Sequence, residues 1–580
     1  MSDTNGLTRR ALPLILIRGF GGVGVEDEKR IAYQGFNDGT VYPQKRGENY
    51  IYEGLILRFM KSDWQYQDAT NIVGYYAKEV SVSVDNLKLS EELKGLDKSY
   101  FTGHRIVIDA GMARNLVRST GDPCKTLWVF RYYDLDDRQF DTYGKALVRL
   151  IDFIRDLAAL KQPDEPRPPK VNIIAHSMGG LLVREAVQVT YPALKKRAPD
   201  HINKIVTLGT PHRGISFQFL QDWIKLDAEQ ELEHFNPRFQ ADEHAQDRKG
   251  QYKDRKNEAA YPYFKDHFPL DRLLTVVGTN YRSYSVGASS WLNRLFSVAG
   301  EGGATYNRSD GLVKQTYAQI PGALRTFVHK CHGGPDSLVT SREAYEIATR
   351  FFFGDVLARL RLVNAKIKRG GDWFGQSEFF FGVSIKPRQV DFELFHQSVE
   401  AENCYGPFHK DDFTDSDVSF NWANPETRLI WEGNLDTSKL IEDPERGGVK
   451  DMVLRLDCYV GERDSYGMGF SDNVIFRKQY YLRAIFKKPF EMYRHEDERF
   501  MGKDYVLPAA DKMRDTPGGW EFDVTGTGFT ATFEIQLDHV PEDGAPFPLR
   551  QYLASVTPAA AAAEKSAMPR PAGETGPPGA

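Results

Sequence analysis

Ser177 stands in a pattern that is typical of a nucleophilic serine. The pentapeptide Ala175-His176-Ser177-Met178-Gly179 follows a β-branched run and precedes a segment with helical apolar spacing. Small residues two before and two after a serine let a strand and a helix meet in a sharp turn that exposes the hydroxyl. Alanine replaces the commoner glycine at the first of these positions, and the same steric argument tolerates it. The pattern predicts a nucleophile elbow at Ser177.

A nucleophilic serine needs a histidine to accept its proton and a carboxylate to orient that histidine. At an elbow of this kind the acid, and then the histidine, follow the serine along the chain. Asp310, in Ser309-Asp310-Gly311-Leu312-Val313, comes after a strand-like run at residues 273–277 and is the predicted acid. The alternative is a structural aspartate, because Asp-Gly is a common turn pair.

Two histidines compete for the role of general base. His332 precedes two glycines on a predicted loop, where its imidazole can turn towards Ser177, and it is the predicted base. His329 lies at the end of a predicted short strand and is interpreted as structural. Asp336 is the second candidate for the acid, although its place before the last helix also suits an N-cap.

The oxyanion that forms during acyl transfer needs backbone N–H donors. One donor is usually the residue after the nucleophile, and another follows an early strand. The predicted donors are therefore Met178 and Phe20, the latter within Arg18-Gly19-Phe20-Gly21-Gly22. This glycine run lacks the Lys-Ser/Thr of a P-loop and does not fit G-x-G-x-x-G, so no nucleotide site is predicted.

The apolar pattern of residues 1–356 predicts the strands and helices that position these candidate residues. Short β-branched runs alternate there with helical segments, which predicts an α/β domain with a mostly parallel sheet covered by helices. Three insertions, at about 25–105, 214–270 and 281–306, either form lids over the active site or fill surface. The predicted strands are residues 12–17, 106–108, 127–132, 171–174, 202–208 and 273–277, and the predicted helices are residues 143–160, 180–189 and 341–353.

The apolar period changes to two from residue 357 onwards, for example in residues 452–460 and 529–537. This alternation predicts an accessory antiparallel β-sandwich over residues 357–550. The Ala/Pro/Gly-rich tail, residues 551–580, is predicted to be disordered. Residues 410–417 cluster carboxylates, for which a solvated acidic turn is favoured over a calcium site. No metal and no cofactor is predicted.

Composition argues against several classes of partner. The chain has 75 Lys and Arg residues against 80 Asp and Glu, a formal net charge of −5, which argues against a nucleic-acid partner. Four cysteines in a chain of 580 residues are too few for a disulfide scaffold, and the absence of CxxC spacing argues against a zinc cluster. The apolar run at residues 11–17 is too short for a signal-peptide core, and no run reaches the roughly 20 residues of a membrane helix. We expect a cytoplasmic protein, or one exported without an N-terminal signal peptide.

Five segments carry a family resemblance: LILIRGFGG, AHSMGGLLVR, LGTPHRG, SDGLV and CHGG. Over about residues 11–355 the chain resembles the lipase branch of the α/β-hydrolases, which includes bacterial triacylglycerol lipases, inositol-deacylase-like esterases and lecithin:cholesterol acyltransferase-like enzymes. By this resemblance, His212 in the third segment packs near the floor of the active site. Arg18 departs from the His or Pro that is usual in these lipases.

The predicted function is a serine carboxylester hydrolase with Ser177, His332 and Asp310 as its triad. The apolar insertions favour a lipid or another apolar ester as substrate, and contact with a membrane surface stays open. The alternatives are a toxin-like phospholipase effector, a catalytically dead binding protein with a hydrolase fold, and an acyltransferase that shares the acyl-enzyme. The sequence does not determine the oligomeric state.

Overall fold

The computed structural model of the 580-residue chain describes residues 11–19, 54–75, 87–102, 106–130, 140–212, 262–281, 309–333, 336–368, 377–388, 390, 392–408, 429–464, 473–487, 489–497, 507–541 and 546–555.

A seven-stranded parallel sheet forms the centre of the N-terminal domain. Its order is β2-β5-β1-β6-β7-β8-β9. The strands are β1 (Leu14–Ile17), β2 (Gln67–Asp68), β5 (Thr126–Phe130), β6 (Val171–His176), β7 (Ile202–Leu208), β8 (Leu273–Gly278) and β9 (Leu324–Val328). Because all connections are parallel, the carboxyl ends of β6, β8 and β9 lie at the same edge. The predicted α/β class is confirmed.

One predicted strand of this sheet is wrong. β4 (Ile106–Ile108) pairs antiparallel with β3 (Val73–Tyr75) in a separate two-stranded sheet. Both apolar ends of β4 are buried, as the run of β-branched residues suggested. An apolar run indicates burial but does not specify which strand it pairs with, since pairing depends on residues distant in sequence.

Helices cover both faces of the parallel sheet. Strand β1 shows why, because Leu14 and Leu16 join one hydrophobic cluster and Ile15 and Ile17 the other. The helices are α1 (Leu55–Lys61), α2 (Ala110–Arg118), α3 (Phe140–Lys161), α4 (Met178–Glu185), α5 (Pro262–His267), α6 (Arg342–Phe353) and α7 (Leu549–Ser555). Helix α4 continues through a π-helical turn, Ala186–Thr190. None of the helices in the described part of the chain combines the length and apolar character that a membrane span requires.

Ser341, and not Asp336, caps the N-terminus of α6. The Ser341 hydroxyl accepts a hydrogen bond from the backbone N–H of Ala344 and so caps the helix. Asp336 instead forms an ion pair with Lys330 at 2.8 Å. The cap belongs to the residue next to the first helical turn, because only its side chain reaches the free N–H groups.

The C-terminal region forms two antiparallel sheets packed face to face, as predicted. One has the order β14-β10-β21-β20-β19, with β22 on β21, and the other has the order β12-β11-β16-β17-β18, with β13 on β11 and β15 on β16. Between them, the Phe381 ring lies 6.0 Å from Phe529 and 5.9 Å from Phe533. The strands are β10 (Val356–Ile367), β11 (Ser377–Pro387), β12 (Phe395–His396), β13 (Tyr405–Phe408), β14 (Leu429–Leu435), β15 (Glu442–Asp443), β16 (Val449–Asp464), β17 (Asn473–Phe486), β18 (Glu491–His495), β19 (Arg514–Asp515), β20 (Trp520–Thr525), β21 (Phe529–His539) and β22 (Phe547–Pro548).

The sandwich and the α/β domain share one hydrophobic cluster. Helix α6 ends at Phe353 and β10 begins three residues later, so the chain passes directly from one unit to the other. Across this junction the rings of Phe327 on β9 and Phe395 on β12 lie 5.5 Å apart. Residues of both units therefore form a continuous core rather than two separate ones.

The described parts of the first insertion belong to the core. Helix α1 buries Leu55 and Phe59 in the cluster that also contains α6, and β2 extends the central sheet. Tyr100 is buried in the opposite cluster. These parts are buried elements of the core and do not form a lid. Helix α7 also occupies residues 551–555, at the start of the predicted tail. Residues 214–261 and 282–306 of the other insertions, and 556–580 of the tail, lie outside the described residues.

Candidate active site

Ser177 occupies the sharp turn between β6 and α4. Its backbone has φ +52° and ψ −128°, a conformation that costs a non-glycine residue on the order of 1–3 kcal/mol. The surrounding backbone holds this turn, since the Ser177 N–H donates to the Leu208 carbonyl at 2.9 Å and the Gly180 N–H to the Ser177 carbonyl at 3.0 Å. The structure thus contains the strand–turn–helix element predicted from the pentapeptide.

The small residues around Ser177 are required by close backbone approach. A Cβ atom on Gly179 would lie 2.6 Å from the Arg18 carbonyl oxygen and 2.7 Å from that of Ile17. A Cβ atom on Gly19 would lie only 2.4 Å from the Ser177 Cβ. All three distances are shorter than van der Waals contact, so the segment after β1 can lie against the elbow only where side chains are absent.

His332 contacts Ser177 and Asp310 at the same time. Its Nε2 lies 2.8 Å from the Ser177 Oγ, and its Nδ1 lies 2.8 Å from the Asp310 Oδ2. All three side chains are buried, with exposed fractions of 8%, 1% and 4% for Ser177, Asp310 and His332. When Nδ1 carries the proton and donates a hydrogen bond to the carboxylate, Nε2 can accept the proton of the serine hydroxyl.

A tight turn, residues 309–314, presents Asp310 to His332. We call it the acid turn. The Asp310 Oδ1 accepts hydrogen bonds from the backbone N–H groups of Leu312 at 3.0 Å and Val313 at 2.8 Å. The backbone N–H of His332 donates to the backbone carbonyl of Asp310 at 2.9 Å. One carboxylate oxygen is thus occupied by the turn itself, which leaves Oδ2 to face the imidazole.

His176, the residue before the nucleophile, has a role that the sequence did not reveal. Its Nε2–H donates to the backbone carbonyl of His332 at 2.9 Å, and the two imidazole rings lie 4.8 Å apart. Burial holds the pKa of His176 well below its ordinary value, and the neighbouring His332 lowers it further. A neutral His176 therefore ties the elbow to the histidine loop. The only sequence feature that could have indicated this role was the position of His176 directly before Ser177, at the carboxyl end of a buried strand.

The predicted oxyanion donors are only partly described. Met178 is the first residue of α4, so its backbone N–H belongs to the helix N-terminus, where such groups lack intrahelical partners. Phe20 lies outside the described residues. Its neighbour Gly19 is described and lies against Ser177, as the Cβ distance given above requires.

The other candidate residues take positions outside this group. The His329 Nδ1 lies 3.2 Å from the Thr279 Oγ1, and its ring lies 5.0 Å from that of His396. His212 is fully buried, with its Nε2 3.1 Å from the Thr207 Oγ1 and its carbonyl accepting from Arg184 at 2.8 Å. Burial holds the pKa of His212 well below its ordinary value.

The carboxylate cluster at residues 410–417, weighed above as a calcium site, lies outside the described residues. Within the described ranges, no group of three or more His, Cys, Asp or Glu side chains is placed to hold a metal ion.

Comparison with known proteins finds similarity over parts of the chain, and the family match includes the elbow. Residues 122–254 match the family described as PGAP1-like alpha/beta domain. A GPI inositol-deacylase of Kluyveromyces lactis is 26% identical over 142 residues, which are 24% of this chain and 14% of that protein. A triacylglycerol lipase of Pseudarthrobacter phenanthrenivorans is 44% identical over 59 residues, which are 10% of this chain and 16% of that protein. The chain therefore spans only a small part of the length of these relatives.

Among solved structures, phospholipase PlaB from Legionella pneumophila is similar over 69% of this chain and 92% of its own, at 13% identity and a TM-score of 0.25. The parallel sheet and the strained serine at its strand–helix turn give the N-terminal domain the architecture of an α/β-hydrolase, and the family match spans this turn. The N-terminal domain is thus an α/β-hydrolase fold whose elbow region is similar to a PGAP1-like alpha/beta domain, in a chain with partial similarity to a GPI inositol-deacylase and a triacylglycerol lipase.

Proposed function

We propose that the protein is a serine carboxylester hydrolase with Ser177 as nucleophile, His332 as general base and acid, and Asp310 as the residue that orients His332. The observation that carries the proposal is the continuous contact from Ser177 Oγ through the imidazole to the Asp310 carboxylate, with 2.8 Å at each step. An unrelated buried polar cluster would not require a strained backbone at the serine.

The geometry supports a two-step reaction. Ser177 Oγ attacks the acyl carbonyl while its proton passes to Nε2 of His332, and Asp310 stabilises the resulting imidazolium. The Met178 N–H, at the positive end of α4, and a second donor near Gly19 hold the oxyanion. His332 then returns the proton to the leaving alcohol. Water, activated by the same imidazole, hydrolyses the acyl-enzyme.

Lipids or other apolar esters are the proposed substrate class. The names of the relatives support this choice, since one is a GPI inositol-deacylase and another a triacylglycerol lipase. The apolar residues in the sequence of the insertions at about 214–270 and 281–306 also favour an apolar substrate, on composition alone.

The decisive experiment compares wild type and Ser177→Ala on p-nitrophenyl esters of graded chain length, on triacylglycerol emulsions and on phospholipid vesicles. We expect hydrolysis by the wild type, with kcat lower by on the order of 10⁶ in the variant. A fluorophosphonate probe should label the wild type only. A preference for short soluble esters with no gain at interfaces would refute the lipid assignment. A folded wild type that neither hydrolyses esters nor reacts with the probe would refute the enzyme assignment.

A further inference from the structure

The acid turn is attached to the β-sandwich by a buried side chain. Gln315 directly follows the turn, is fully buried, and donates from its Nε2 to the carbonyl oxygen of Ala401 at 2.9 Å. An isolated bridge between Ser309 and Lys314 closes the turn just before it. Any displacement of Gln315 would therefore move the whole turn that carries Asp310.

The receiving segment, residues 397–404, is itself held by several hydrogen bonds, and we call it the support turn. The Gln397 Nε2 donates to the Asn403 carbonyl at 2.9 Å, and the Asn403 Nδ2 to the His396 carbonyl at 2.6 Å. The Glu402 backbone has φ +50°, which is unfavourable for a residue with a side chain. A turn that keeps such a conformation is fixed by its surroundings rather than by local preference.

A second polar connection runs beside the first. The Gln319 Nε2 donates to the Gln315 carbonyl at 2.9 Å, and the Arg325 guanidinium donates to the Gln319 Oε1 at 3.2 Å. The same guanidinium donates to the Tyr405 hydroxyl at 3.2 Å, which in turn donates to the Ile430 carbonyl at 2.8 Å. The segment after the acid turn is thus bonded to strands β13 and β14 as well as to the support turn.

We propose that the β-sandwich is part of the catalytic apparatus: its support turn positions Asp310 against His332, with Gln315 as the positioning residue that connects the two. The inference rests on the proposed function. Proton transfer needs its groups held to within about 0.5 Å, and a misplacement of about 1 Å can cost up to 100-fold in rate. The local bonds of the acid turn shape the turn, whereas the bond to Ala401 fixes its place relative to the sandwich, which itself packs on the central sheet where Phe395 contacts Phe327.

The test replaces Gln315 with methionine, which keeps the length of the side chain but removes the donor. The matched control is Thr326→Val. Thr326 is a buried residue of β9 whose hydroxyl also donates across the junction, to the Leu394 carbonyl, but it does not lie in the acid turn. In Gln315→Met we expect kcat for a p-nitrophenyl ester to fall at least tenfold, with KM within twofold. Labelling by a fluorophosphonate should slow in proportion. Thr326→Val should keep kcat within twofold.

Equal kcat in wild type and Gln315→Met, or an equal loss in Thr326→Val, would overturn the inference. If Gln315→Met does not fold, Gln315→Asn, which keeps the amide one methylene shorter, is measured with the same expectation. Amide hydrogen exchange tests the support turn without activity, because residues 309–315 should exchange faster in the Gln315 variant than in the Thr326 control. A wild type that hydrolyses no ester and reacts with no probe refutes the proposed function, whereas unchanged exchange refutes only the role of the support turn.

Discussion

Replacing Asp310 with asparagine should abolish most of the activity while leaving the fold in place. The acid turn determines the orientation of the asparagine side-chain amide, because the backbone N–H groups of Leu312 and Val313 both donate to Oδ1 in the wild type. The amide oxygen of asparagine can accept these two bonds, so its NH₂ group takes the position of Oδ2, 2.8 Å from the His332 Nδ1. The His332 Nδ1 must then accept a hydrogen bond from this NH₂ group instead of donating one.

The change of partner reverses the tautomer of His332. With its proton on Nε2, the imidazole cannot accept the proton of Ser177, whose Oγ lies 2.8 Å from that nitrogen. An exchange of carboxylate for amide at this position of a triad costs roughly 10⁴ in kcat. At 1.36 kcal/mol per tenfold change, the barrier rises by about 5.5 kcal/mol.

The assay is hydrolysis of a p-nitrophenyl ester, read together with the thermal unfolding midpoint. We expect the midpoint of Asp310→Asn to change little, because both bonds within the acid turn persist. The control is Asp336→Asn, which removes only the ion pair with Lys330 on a half-exposed side chain and should keep kcat within twofold. If Asp310→Asn kept more than a tenth of the wild-type kcat, or if Asp336→Asn lost as much as 10³, the assignment of the acid would be wrong.

Three further changes probe the surroundings of the triad. Gly19→Ala should lower kcat by about 100-fold, because the new Cβ would meet the Ser177 Cβ at 2.4 Å and displace it; an unchanged kcat would show that the elbow relaxes freely. His176→Leu removes the donor that His176 supplies to the buried His332 carbonyl and should lower the free energy of unfolding by about 1–3 kcal/mol, measured in urea, whereas His176→Gln should retain most of it; equal losses would contradict this role. His212 has a lowered pKa in the folded state, so below about pH 6.5 the unfolded chain binds a proton that the folded chain does not. The contribution of His212 to the free energy of unfolding should therefore be constant above that pH and fall below it, so urea midpoints from pH 7 to pH 5 should fall less steeply in His212→Gln than in the wild type.

Much of the fold could be predicted because its signals are local. The runs that became β6, β7 and β8 are mostly β-branched or apolar, which is typical of strands buried on both faces. In β21, buried residues alternate with partly exposed ones, which is the pattern of a sheet with one covered face. Where the prediction was wrong, at residues 106–108, the signal for burial was right and the pairing partner was not.

The candidate site also combines features with a local sequence signal and contacts without one. The order of residue types can be read from the chain: a serine between small residues, an aspartate before a glycine and a histidine before glycines. The packed fold is needed to show that His332, rather than His329, faces Ser177, that His176 bonds to the His332 carbonyl, and that Gln315 bonds to the sandwich. These contacts join residues as many as 156 positions apart, and no local pattern can specify them, because they exist only once the sheet and the sandwich have packed together.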